Sequence, residues 1–254
     1  MFNIALNTFK ELKRNKILFL ILFFGILLII FSLFLASLSL GQTDKIVIDF
    51  GLSMIEIFGL ISVVFIGSQI LFKEIEGKTI YLILSKPISR YEFILGKFIG
   101  FAMILAIIIT FQGLIFLALM LYSGTAISII MLFSIMFIYL KLLVLFSIIL
   151  FFSTFSSSIL SIMLTIFIYI IAHSITSIID IATASKNAVM INFGKVLYVV
   201  FPNFEAMNIK NIILSPVKVD MIFLFGNLVY GIIYLLLILL FSVLIFNRKT
   251  FENA

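Results

Sequence analysis

Residues 17–40 read ILFLILFFGILLIIFSLFLASLSL, a run of 24 positions without one charged side chain. A helix needs about 20 apolar residues to cross about 30 Å of hydrocarbon, so this run is long enough to span. Five more come after it. Residues 50–72 carry only Glu56, residues 98–122 no charge, and residues 126–152 only Lys141. Residues 159–179 hold His173, and residues 221–246 are again uncharged. The runs are continuous and do not alternate, which excludes lipid-facing barrel strands. The expected fold is an all-α membrane protein, a single transmembrane domain of six helices over residues 1–254.

Composition agrees. Of the 254 residues 64% are hydrophobic and only 11% are charged, with a mean hydropathy of +1.38. Soluble domains run near 45–50% apolar and about 25% charged. There is no Cys, so disulfides, iron–sulfur clusters and thiolate metal sites are excluded. The single His, at position 173, cannot build a multi-histidine zinc or bis-histidine haem site within one chain. The formal charge of +6 reads as a topology signal rather than as nucleic-acid binding.

Lys10, Lys13, Arg14 and Lys16 precede the first run; Lys73, Lys78, Lys86, Arg90 and Lys97 lie between the second and third; Arg248 and Lys249 come after the sixth. With six spans these eleven share one side, against Lys45, Lys186, Lys195, Lys210 and Lys218 on the other. Basic short segments stay cytoplasmic. Both termini are therefore expected inside and the long 180–220 connection outside. The first run is too long for a signal-peptide core of about 7–15 residues, so it is read as a retained helix. Before it, Phe2, Ala5, Phe9 and Leu12 recur at helical spacing among Lys10, Glu11 and Arg14, the pattern of an amphipathic surface helix over residues 1–16.

The connection between the second and third runs reads KEIEGKTIYLILSKPISR over residues 73–90. Gly77 can break the emerging helix, Thr79 can cap a new one, and Ile80, Ile83 and Leu84 form an apolar stripe that Pro87 ends. A short helix on the cytoplasmic face is expected, suited to docking a soluble partner or to resting on anionic lipid. Gly77-Lys78-Thr79 echoes the end of a phosphate loop, but that motif requires Gly at position 72, which is Phe. No nucleotide site is expected in this chain.

An acidic residue (Glu74 or Glu76), Gly77, Thr79, the apolar residues 80–84, Pro87, Arg90 and Gly96-Lys97 together resemble the first cytoplasmic loop of ABC-2 type transporter permeases. The basic amphipathic start, the six spans and Phe201-Pro202-Asn203-Phe204 before the last span are similar to that family too. The nearest flavour is the branch associated with multicopper-enzyme maturation, such as nitrous oxide reductase assembly. The resemblance implies a permease that pairs with a second permease chain, in a homodimer or with a sibling, and is met by a cytoplasmic ATPase subunit holding ATP and Mg. It assigns ATPase coupling to Glu74, Glu76, Gly77, Thr79, Leu82, Leu84, Pro87 and Arg90. It implies export, short re-entrant helices across residues 189–214, and a dimer seam along the second and fifth spans. Neither a cofactor nor a metal in this chain, nor a nucleic-acid partner, is implied; membrane lipids are.

Ionisable groups inside spans are costly and often functional. Lys141 falls at the middle of its run. Glu56 falls in the outer half of its own, ~8 Å from the centre at 1.5 Å per residue, and His173 in the outer third. The three are candidates for a polar pathway, for mutual pairing, or for a packing role. The helical rise puts Lys141 and Glu56 about 10 Å apart in depth, so contact needs a snorkelling lysine. Gly96 and Gly100, and Gly59 and Gly67, mark places where backbones can approach closely. Met54, Met103, Met131, Met136 and Met163 are scattered, as packing residues rather than a copper relay.

Two other classes compete with the permease. A stand-alone secondary transporter or channel would couple ions through Lys141 and Glu56, but the halves show no repeat and no span contains Pro. An intramembrane enzyme is disfavoured by a single His, the lack of Cys and the lack of paired intramembrane acids.

Overall fold

The computed structural model describes residues 1–38, 43–77, 89–210, 213 and 221–248, without the side chains of Ile75 and Glu76. Among them the chain is helical, with no strand. Helix α1 spans Phe2–Lys13 and α2 Lys16–Ser37. Helix α3, Thr43–Ser62, runs through a π-helical turn, Val63–Gly67, into α4, Gln69–Glu76. Then come α5, Arg90–Tyr122; α6, Ile129–Ser153; α7, Ser158–Ala184; α8, Ala188–Val200; and α9, Met221–Arg248. Six helices are long and apolar enough to cross a membrane: α2, the 32 residues Thr43–Glu74, α5, α6, α7 and α9.

The apolar runs mark the membrane-compatible core of each helix rather than its ends. The second span begins at Thr43 and carries Asp44, Lys45 and Asp49 as helical residues, where their charge suggests a loop. Its helix widens at Val63–Gly67, where an extra residue per turn shifts the facing of α4. Buried Val63 and Ile66 lie in this turn, and Gly67 meets the Phe146 ring of α6. The helix that holds the third run begins at Arg90, ahead of Phe98, and has 33 residues. At 1.5 Å per residue that is about 50 Å, well beyond the hydrocarbon thickness.

The extra length of α5 receives α1. The Cβ positions of Gly96 and Gly100 lie 2.8 Å from Ile4 Cβ and 2.6 Å from Thr8 Cβ, so only glycine lets the two backbones meet here. Two residues of the expected apolar stripe, Ala5 and Leu12, turn to this seam. Ala5, Thr8 and Leu12 form the buried face, while Phe2 is 73% exposed and Phe9 half-buried. The close approach selects short side chains and turns the large aromatics outward. The small-residue pair therefore seats the amphipathic helix.

Helices α3, α5 and α6 make the centre. Two-thirds (67%) of the apolar window of α6 is buried, against 17% for α7 and 22% for α9. Helix α2 packs on α3 and α5, α9 on α6 and α5, and α7 on α6 and α8. At one end Arg90 Nη1 donates to the carbonyls of Phe246 (3.1 Å) and Asn247 (2.9 Å), tying the start of α5 to the end of α9. At the other, Thr125 Oγ1 donates to Asp44 (2.8 Å).

Gly100→Leu is expected to overpack the α1–α5 seam and destabilise the protein by about 1–3 kcal/mol, read as a lower thermal midpoint in mild detergent. Gly226→Leu, where nothing lies within 4 Å of the added carbon, is expected to leave the midpoint unchanged.

Candidate functional site

The three intramembrane residues singled out from sequence meet in space. Lys141 Nζ donates to Glu56 Oε1 at 2.6 Å, and His173 Nε2 lies 3.1 Å from the same oxygen. The lengthened helices explain why the expected offset in depth is absent. Glu56 is the fourteenth of the 32 residues Thr43–Glu74, Lys141 the thirteenth of 25 in α6, and His173 the sixteenth of 27 in α7. All three stand near the middle of their helices, and Lys141 needs no snorkelling.

Other residues complete the cluster. Tyr169 Oη donates to Glu56 Oε1 at 3.3 Å. Lys210 Nζ donates to Glu56 Oε2 at 2.9 Å and to Ser53 Oγ at 3.3 Å. Glu56 is 4% exposed and Lys141 2%. An isolated carboxylate so placed costs several kcal/mol in desolvation; here groups from α6, α7 and the stretch before α9 offset it. Helical spacing sets the geometry on each side. Ser53 and Glu56 are three apart in α3, Tyr169 and His173 four apart in α7, so each pair shares a face. The Tyr169 and His173 rings lie 4.3 Å apart, and the Phe204 ring stands 5.4 Å from His173.

Lys210 reaches this depth because residues 201–210 leave α-helical form and run inside the bundle, with a 3-10 turn at Glu205–Met207. Phe204, Met207 and Ile209 are buried, and Met207 and Leu140 both press on Gly231. Irregular backbone away from water must find partners, and it does. Phe204 N–H donates to Ala172 O (3.0 Å) and Asn203 N–H to Tyr230 Oη (3.0 Å), while Ala206 O accepts from Asn227 Nδ2 (2.8 Å). Before it, α8 packs through Gly194 against Ile179 and exposes Val189, Phe193 and Val199. Sequence reasoning counted Lys210 only as a loop charge and did not single out Ser53, Tyr169 or Asn208. The face that Tyr169 shares with His173 was the readable signal for that tyrosine.

The coupling candidates are spread differently. Glu74 pairs with Lys97 between α4 and α5. Arg90 caps the end of α9 through the Phe246 and Asn247 carbonyls. Gly77 closes α4 with its N–H on Lys73 O (3.1 Å). The expected coupling helix, with Thr79, Leu82, Leu84 and Pro87, lies outside the described residues, as does the side chain of Glu76. Among the described residues no group of three His, Asp or Glu side chains could hold a metal ion.

Glu56→Gln leaves two lysines facing a neutral amide, and is expected to cost about 3–5 kcal/mol. Lys141→Met is expected to cost less, because Lys210 and His173 remain on the carboxylate. Glu56→Gln combined with Lys141→Met is expected to be more stable than Glu56→Gln alone. Thermal midpoints in one detergent check the order, and equal, additive losses would contradict the shared-carboxylate geometry.

A search of curated proteins returns no match for this chain. A family model described as ABC-2 family transporter protein matches residues 2–251, nearly the whole length. With six helices long and apolar enough to span and this match, the chain is a multi-pass membrane protein of the ABC-2 transporter family.

Proposed function

We propose that this ABC permease subunit works as an exporter in the inner membrane of a prokaryote, with both termini cytoplasmic. The family match over residues 2–251 carries the reading. A separate ATPase subunit, holding ATP and Mg, docks on the end of the bundle where residues 74–90 join α4 to α5. The absence of Gly at position 72 supports assigning hydrolysis to that partner. The likeness of residues 74–97 to the family's first cytoplasmic loop supports the permease reading, within which we assign the chain to the branch associated with multicopper-enzyme maturation.

A second copy of the chain completes the path, and lipid covers the outward aromatics of α2. The sparse burial of α7, whose Ile159, Phe167 and Ile170 stay more than half exposed, supports an apolar neighbour along that helix. The apolar exposure of α8 and the sheltered backbone of residues 201–210 support a segment that dips into the outer half of the membrane. Glu56, Lys141 and His173 then line the path where the segment meets the spans. A secondary transporter coupled through Glu56 and Lys141 has their 2.6 Å contact in its favour; the family match weighs for the ATP-driven reading.

Co-purification in mild detergent tests this. Because Glu74 is engaged by Lys97, the variant to compare is Leu82→Asp with Leu84→Asp, which spoils the apolar stripe alone. A soluble ATPase is expected with the wild type and at least ten-fold less with the variant. If the intact chain retains no ATPase, the secondary-transporter reading takes its place.

A further inference from the structure

Beside the Glu56 carboxylate a cleft of about 190 Å³ opens, whose polar lining is Ser53, Glu56, Tyr169, His173, Asn208 and Lys210. The hydrogen bonds already made decide what it can take. Glu56 is crowded by donors: Oε1 meets Lys141, Tyr169 and His173, and Oε2 meets Lys210. The His173 ring is spent, with Nε2 on Glu56 and Nδ1 3.1 Å from Tyr169 O. Lys210 uses two of its three N–H groups, on Glu56 and Ser53. Its third remains, and so does the Ser53 hydroxyl hydrogen, whose oxygen accepts from Lys210. Asn208 gives its amide N–H to Glu205 at 3.3 and 3.5 Å, but its buried Oδ1 has no partner.

A cationic group entering here would meet a carboxylate already shared by two ammonium groups, while Glu205, which holds the Asn208 amide, does not line the cleft. An anionic group would find the free N–H of Lys210 and the Ser53 hydroxyl, and a hydroxyl on the same molecule could satisfy Asn208 Oδ1. Lys141 stays on Glu56 throughout, so the carboxylate keeps a counter-charge if Lys210 swings towards the newcomer. We infer that this cleft is an anion subsite of the transport path, and that it receives a carboxylate or phosphate group of a hydroxylated cargo with Lys210 as its ligand. The inference rests on the reading of Glu56, Lys141 and His173 as part of that path.

His173 is the only histidine in the chain, so histidine-labelled protein without a histidine tag gives one resonance set at this site. The full chain in lipid nanodiscs is titrated at fixed pH with glycerol 3-phosphate and with lactate. Ethanolamine is the cationic hydroxylated counterpart, and chloride at matched ionic strength is the salt control. The expected result is a saturable His173 shift with one or both hydroxylated anions and none with ethanolamine or chloride. Lys210→Gln is expected to weaken the binding at least ten-fold. If Lys210→Gln does not fold, Ser53→Ala serves instead, with a loss of at least three-fold. Saturation by ethanolamine alone overturns the charge class and leaves the path standing. Silence to every probe, or binding that Lys210→Gln and Ser53→Ala leave unchanged, overturns the subsite. None of these results touches the ATPase co-purification, so failure here and failure of the permease reading are separable.

Discussion

Glu56 is a carboxylate held near mid-helix with almost no access to water, and its neutralisation dictates where three other elements lie. Removing a carboxylate from water costs several kcal/mol unless opposite charge and hydrogen bonds replace the solvent. Helix α6 supplies Lys141, α7 supplies Tyr169 and His173, and the stretch before α9 supplies Lys210. The last contact has the longest reach. It fixes one end of an irregular strap whose other polar groups are met by Ala172, Tyr230 and Asn227. Without that carboxylate the strap would keep its apolar anchors but lose the group that sets its depth.

The rest of the bundle divides around this centre. Helices α3, α5 and α6 carry most of the buried surface, and α5 extends far enough past the hydrocarbon thickness to hold α1 on its glycine pair. The π-helical turn lies between the Glu56 cluster and α4, on the face that meets Phe146. Helices α7 and α9 leave most of their apolar surface uncovered. One continuous element, residues 43–76, joins the α4 end of the bundle to the polar cluster. Movement imposed on α4 would therefore bear on Glu56 through a helix whose register is already shifted.

Much of this was legible in the sequence. Charge-poor runs of twenty or more residues identified all six long helices, because hydrocarbon thickness sets a minimum length that few other constraints mimic. The apolar runs do not mark the helix ends, because the helices continue past them. Asp44, Lys45 and Asp49 are helical although their charge reads as loop, and that error created the false offset between Glu56 and Lys141. The stripe on α1 was assigned by hydrophobicity, whereas fit against Gly96 and Gly100 chose Ala5 and Thr8 over Phe2. Glu56, Lys141 and His173 stood out because ionisable groups are rare inside spans. Lys210 escaped because it lies in a connection, and no local pattern reveals that a connection runs inward. Ser53 and Asn208 carry no charge and gave no signal of their own.

Through Lys210, Glu56 holds residues 201–210 inside the bundle. The chain contains no Cys, so Met207→Cys places a single thiol at a position only 2% exposed. Its rate of reaction with a membrane-impermeant maleimide is compared with Lys186→Cys, which lies on an exposed turn. With Glu56 intact, Cys at 207 is expected to react at least a hundred-fold more slowly than Cys at 186, and Glu56→Gln is expected to raise its rate at least ten-fold. A rate that Glu56→Gln leaves unchanged would contradict the claim, and so would a thiol at 207 as reactive as the one at 186.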